Sequence, residues 1–209
     1  MKKIAVFDLH HEVLAAWERF SRESGAIPEV LTLDFHTDVL NCAGRGIGTP
    51  ADAAAAVEIL HHDEHFDWAL RKKIISKAVI LSLSPCSVAP EHPELEVRRS
   101  EMLPEMDVML NDPENFRPLA DMVLDDCFLA PLLADGFPHG SFILDIDCDF
   151  FLTEKSLEPE HHEVIDSLAQ RAGLITFSRE NDWVKILKLP GEKITGEIIA
   201  ARLVDRFDR

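Results

Sequence analysis

Residues 142–151 read FILDIDCDFF, an apolar run that carries Asp145, Asp147 and Asp149 at every second position. Phe142, Ile143, Leu144 and Ile146 supply the near-continuous hydrophobicity of a strand covered on both faces. Side chains alternate along a strand, so positions i, i+2 and i+4 share one face. An ionised carboxylate in such a place is costly unless it is paired or bound to a metal, and neighbouring carboxylates repel. The segment alone leaves two outcomes. Either a divalent cation neutralises the row, or the strand ends near Asp145 and the later aspartates are solvated in a loop.

The same segment restricts the fold, because strands buried on both faces belong to parallel sheets covered by helices. The rest of the chain alternates accordingly. Strand patterns at 3–9, 29–35, 78–84, 141–147 and 174–178 are separated by helical patterns at 12–24, 51–60, 64–75, 116–134, 159–172 and 195–207. Gly25 and Gly173 stand where helices stop, and Pro50 where one opens. Residues 85–105 read as a proline-rich excursion with room for a short strand, and 107–110 as a further short strand. This order predicts an α/β protein: three αβα layers around a mostly parallel sheet, in one domain over residues 1–209.

Composition narrows the function classes. At 209 residues and 46% hydrophobic, the chain can bury a substantial core. No run approaches the ~18–20 apolar residues of a membrane span. MKKIAVFD is too short and lacks the cleavage site of a signal peptide, so it reads as a first strand. The four cysteines form no CxxC, which points to reduced thiols in a cytoplasmic protein rather than a zinc knuckle or disulfide framework. A net charge of −17 argues against nucleic acid as a partner and favours cationic ligands.

Ligands of open parallel sheets sit at the carboxyl ends of the strands. Polar residues collect there in this chain: His10 and His11 after the first strand, DFHTD at 34–38, DIDCD at 145–149 and SREND at 178–182. Asp34, His36 and Asp38 repeat the i, i+2, i+4 spacing. With Asp145 and Asp147 they make five donors. A strand-end histidine makes six, His10 being preferred to His11 because it lies directly at the strand end. One tetrahedral zinc needs three or four ligands. Six donors, four of them carboxylates able to bridge, suit two divalent ions, and the oxygen-rich set with two imidazoles favours Mn2+. Asp149 is either a partner that orients a ligand or a solvated acid. Glu180 either holds a guanidinium through its carboxylate or is an acid at a helix start.

These segments resemble a known superfamily. DFHTD is similar to the D-x-H-x-D motif of the arginase and agmatinase ureohydrolases, LDIDCD to their D-x-D metal motif, and LHHEV stands where they have a strand-end histidine. A closer resemblance is to the protein family UPF0489, carried in order by HHEVLAAW, DFHTD, EHFDWAL and LDIDCDFF across most of residues 4–151. The resemblance implies an arginase/deacetylase-like fold. It also implies a peptide arginase, which turns arginine side chains of a precursor peptide into ornithine and releases urea. Carried over, Asp34, Asp38 and Asp145 would bind metal and bridge or flank a pair of ions. His36 and Asp147 would complete one ion, and the first-strand histidine the other. The EHFDW segment brings Glu64 and His65 to the site, with His65 passing a proton to the leaving amine and Asp38 orienting the attacking water. His61 and His62 are expected to be exposed, and His161 and His162 to lie on a polar helix face. The chain lacks the G-G-D-H context of arginases, and Phe150 and Phe151 replace the D-P after their D-x-D motif. A pocket shaped for free arginine is therefore not expected. Two rival readings are a deacetylase-like amide hydrolase with one zinc and a metal-binding module without turnover.

Overall fold

The computed structural model describes residues 3–45, 52–85, 88–104 and 112–208. Among the described residues the strands are β1 (Ile4–Phe7), β2 (Glu29–Asp34), β3 (Lys77–Ser82), β4 (Leu95–Arg98), β5 (Phe142–Asp147) and β6 (Leu174–Ser178). They form one sheet in the order β1-β6-β5-β2-β3-β4, with every neighbouring pair parallel. The expected short strand in the 85–105 excursion is β4. The strand expected at 107–110, and Pro50 as a helix opener, lie outside the described residues.

Alternation along the central strands divides the core in two. Leu31 and Leu33 of β2, with Leu144 and Ile146 of β5, join one apolar cluster. Val30 of β2 and Ile143 of β5 join the other. Helices α1 (Leu14–Ser24), α2 (Ala53–Val57) and α3 (His65–Arg71) cover the second face, through Trp17, Ala56 and Phe66 among others. The first face is covered by α4 (Pro113–Ala120), α5 (Asp126–Leu132), α6 (Glu163–Arg171), α7 (Asn181–Leu187) and α8 (Gly196–Phe207). The result is the expected three-layer αβα sandwich.

Helix boundaries follow local chemistry. The expected helix at 12–24 is preceded by a 3-10 turn, His10–Val13, and ends at Gly25, whose φ of 67° suits a residue without Cβ. The pattern read as a helix to residue 75 stops at Arg71, and Lys73 adopts a left-handed φ of 56°. The pattern at 116–134 is two helices. The first opens on Asp112, which accepts the Asn115 N–H, with Pro113 at the first helical position. Among the described residues, no helix is long and apolar enough to cross a membrane. Cys42, Cys127 and Cys148 are free thiols.

β2 and β5 are neighbours, yet the chain moves away from them in opposite directions, from β2 to β3 and β4, and from β5 to β6. A parallel sheet opens a crevice at such a reversal, at the carboxyl ends of the strands. Asp34 ends β2 and Asp147 ends β5.

Candidate metal centre

His10 lies at the middle of the site and is 1% exposed. The 3-10 turn after β1 swings it over the strand ends. Its two ring nitrogens meet different surroundings. Nε2 is 2.8 Å from Asp145 Oδ2. Nδ1 faces three carboxylate oxygens: Asp38 Oδ2 at 2.9 Å, Asp147 Oδ2 at 3.2 Å and Asp34 Oδ2 at 3.5 Å. One proton on Nδ1 cannot satisfy three carboxylates, whereas one cation can. Burial pushes the His10 pKa down, but the charges of Asp145 and Asp147 more than offset it, and the net shift is well upward.

Asp145, expected as a ligand, lies outside the three donor groups and pairs with His10 instead. It sits two residues back from the end of β5, about 6–7 Å deeper in the sheet. In register with it are Thr32 on β2 and Thr176 on β6. Both hydroxyls donate to Asp145, Thr176 Oγ1 at 2.5 Å and Thr32 Oγ1 at 3.2 Å. A carboxylate accepts only, so Asp145 keeps a proton on His10 Nε2 and aims Nδ1 at the strand ends. Metal-binding histidines are commonly oriented in this way, through a carboxylate on the far nitrogen.

Asp149 does join a donor group, with Asp34 and His36. A 3-10 turn, Cys148–Phe150, follows β5 and folds Asp149 back into the core at 0% exposure. Its Oδ1 accepts the Phe35 N–H at 3.1 Å. Its Oδ2 is 2.8 Å from His36 Nδ1 but makes no aligned hydrogen bond, so the pair is a charge contact. Asp34 Oδ1 accepts the His36 N–H at 2.7 Å and fixes the turn after β2.

Donor atoms converge in three groups, each within 4.8 Å: His10 with Asp34 and Asp147, Asp34 with His36 and Asp149, and His10 with Asp38 and His65. Asp34 belongs to two of them. Burial, then the charges of Asp38 and Asp149, push the Asp34 carboxyl well up. Burial and Asp149 do the same to Asp147. Burial opposes protonation of His36, but Asp149 beside it raises its pKa to about 9. Asp34 Oδ2, Asp149 Oδ2 and His65 Nε2 are buried without a hydrogen-bond partner. Buried polar atoms are seldom left in this state, and divalent ions would complete all three. The donor set therefore fits divalent ions, with Asp34 the carboxylate common to the His10 and His36 groups.

The remaining expected residues divide. Asp38 is in the cluster, with a left-handed φ of 43°. Glu180, at the N-terminus of α7, has φ 39°, and its Oε1 accepts the His10 N–H at 2.7 Å. Two of the three non-glycine residues with positive φ among those described thus lie at this site, where backbone strain commonly concentrates. His65 is buried and its ring packs on His10 at 4.4 Å between centroids. Glu64 is buried too, but its carboxylate turns to the backbone and accepts the His61 N–H at 2.9 Å, and it belongs to none of the donor groups. His11 is half-buried and also outside them. His61, His62, His161 and His162 are exposed. Sequence reasoning did not single out Trp183, whose ring meets that of His36 edge-on at 4.6 Å. Its position in the first turn of α7, three residues after Glu180, was the available signal.

Metal should couple to stability here. Mn2+ at about 1,000 times its Kd should add ~4 kcal/mol per site. For a chain of this size that raises Tm by roughly 8–16 °C, measured by calorimetry with and without chelator. An unchanged Tm across saturating Mn2+, Co2+ and Zn2+ would show that the cluster takes no metal.

No protein-family model matches the chain, so the likeness to UPF0489 rests on the quoted segments alone. A search of curated proteins finds no match. Solved structures do match. Proclavaminate amidino hydrolase from Streptomyces clavuligerus aligns with a TM-score of 0.51 and 13% identity over 96% of this chain and 60% of its own. Arginase from Medicago truncatula aligns with a TM-score of 0.51 and 15% identity over 99% of this chain and 58% of its own. The chain thus spans about 60% of the length of either protein, and at these identities the likeness is one of fold: an arginase-like α/β sandwich.

Proposed function

We propose that the protein is a binuclear metal-dependent hydrolase of guanidino groups that acts as a peptide arginase, converting arginine side chains to ornithine with release of urea. The observation that carries this reading is the convergence of His10, Asp34, His36, Asp38, Asp147 and Asp149 at the strand ends of an arginase-like fold. In this reading His10, Asp38 and Asp147 would hold one ion and His36 and Asp149 the other, with Asp34 available to both. The carboxylate-rich set favours Mn2+. When bound, a pair of divalent cations supplies a water-derived nucleophile at neutral pH.

The chain's own residues do the rest. Asp145, through His10, fixes the direction of one ligand. Asp38 is 6% exposed and lies at the cluster, and the proposal has it accept a hydrogen bond from the attacking water and orient it. Glu180 uses Oε1 for the His10 amide, and the proposal gives its Oε2 to a substrate N–H. A guanidinium stays cationic at any working pH, so carboxylates hold it where they would repel an anion. The net charge of −17 favours capture of cationic peptides, and added salt should slow that step. Peptide rather than free arginine is supported by the segment after Asp149. Phe150 and Phe151 both pack into the core there and build no polar wall.

Incubation of the Mn2+-loaded protein with an arginine-containing peptide should release urea and lower the peptide mass by about 42 Da per converted residue. Free arginine should give a lower kcat/KM. Absence of urea from every arginine peptide tested, or a higher kcat/KM for free arginine, would overturn the reading.

A further inference from the structure

We propose that His65 is itself a metal ligand, through Nε2, and completes the ion held by His10 and Asp38. This rests on the two-ion reading and replaces the proton-carrying role that the EHFDW segment suggested. Three observations support it.

The first is the tautomer. His65 Nδ1 lies 2.7 Å from the His62 carbonyl oxygen. A carbonyl only accepts, so the proton sits on Nδ1 and Nε2 presents a lone pair. A neutral ring in this tautomer is equipped to coordinate a cation. It has no proton on Nε2 to give to a departing amine.

The second is the surroundings of Nε2. It is buried and lacks a hydrogen-bond partner, although His65 belongs to the donor group with His10 and Asp38. An acceptor left in this state is costly, and a cation at the group removes the cost. A proton carrier must also exchange with substrate or solvent, whereas His65 is 0% exposed.

The third is preorganisation. The ring is clamped by His10 at 4.4 Å, by Phe66 at 4.2 Å and by Trp17 at 5.7 Å between centroids. His65 opens α3, and its bond to the His62 carbonyl ties the ring to the preceding turn. A backbone carbonyl on the far nitrogen is a recurrent way of orienting a metal-binding histidine.

The consequence is that the two ions are unlike. The His10 ion gains a second imidazole, while the His36 ion keeps one among carboxylates. Nitrogen-richer sites favour later divalent metals, so Co2+ and Zn2+ should prefer the His10–His65 side.

The test uses the full chain, labelled with 15N and loaded with 113Cd2+. Metal–nitrogen coupling is expected at His10 Nδ1, His36 Nδ1 and His65 Nε2. Coupling at the first two with none at His65 would overturn the inference and leave the two-ion reading standing. Absence of Cd2+ binding altogether would overturn both. In a parallel Co2+ titration, His65→Gln should weaken one of the two sites by about 100-fold or more and leave the other unchanged. Two sites of wild-type affinity in a folded His65→Gln variant would also overturn the inference.

Discussion

Replacing Asp34 with alanine should remove both ions at once and lower kcat/KM by at least about 10⁴-fold. Asp34 is the carboxylate common to the His10 and His36 donor groups, so neither ion keeps a full set without it. Its Oδ1 also fixes the turn that carries His36 by accepting the 2.7 Å backbone bond. The loss should not come from misfolding. In the metal-free protein, burial together with Asp38 and Asp149 drives the Asp34 carboxyl towards its protonated form, so removing it relieves crowding. The expected result is a folded variant with wild-type circular dichroism and almost no bound Mn2+ after desalting. Full metal content in that variant would remove Asp34 from the ligand set.

Asp145→Ala should behave differently, although both residues are fully buried aspartates. Asp145 reaches the cluster only through His10. Its loss should weaken metal binding by about 10–100-fold, the usual cost of losing an orienting partner. Saturating Mn2+ should then restore two ions and much of the turnover. Thr32, Thr176 and His10 would each lose a hydrogen-bond partner, so the variant should also unfold at a lower temperature. Asp145→Asn, which retains the shape and one acceptor oxygen, should fall between wild type and Asp145→Ala. A variant that cannot recover a second ion at any Mn2+ concentration would return Asp145 to the ligands.

The difference between these aspartates marks the limit of what the sequence discloses. Alternating strand and helix patterns give the layered parallel sheet, and i, i+2 spacing puts Asp145, Asp147 and Asp149 on a common side. Spacing cannot say how deep each lies. Depth depends on where β5 stops relative to its neighbours. The register that pairs Asp145 with Thr32 and Thr176 places it inside the sheet, and the 3-10 turn at Cys148–Phe150 brings Asp149 to the cluster. Both are non-local outcomes. That His10 rather than His11 would stand among the strand-end carboxylates was legible, because His10 is the first residue of the turn after β1. Glu64 and His65 were legible as a segment but not as roles. The two side chains are adjacent in sequence, yet one closes on the backbone of its own turn and the other faces His10.

The central claim is that the ends of β1, β2 and β5 hold two ions, with Asp34 common to both sets of donors. Anomalous diffraction from crystals grown with Mn2+ tests it most directly. The account predicts two peaks, one against His10 and Asp38 and one against His36 and Asp149, with Asp145 coordinated to neither. A single peak, or a peak bound directly by Asp145, would contradict it.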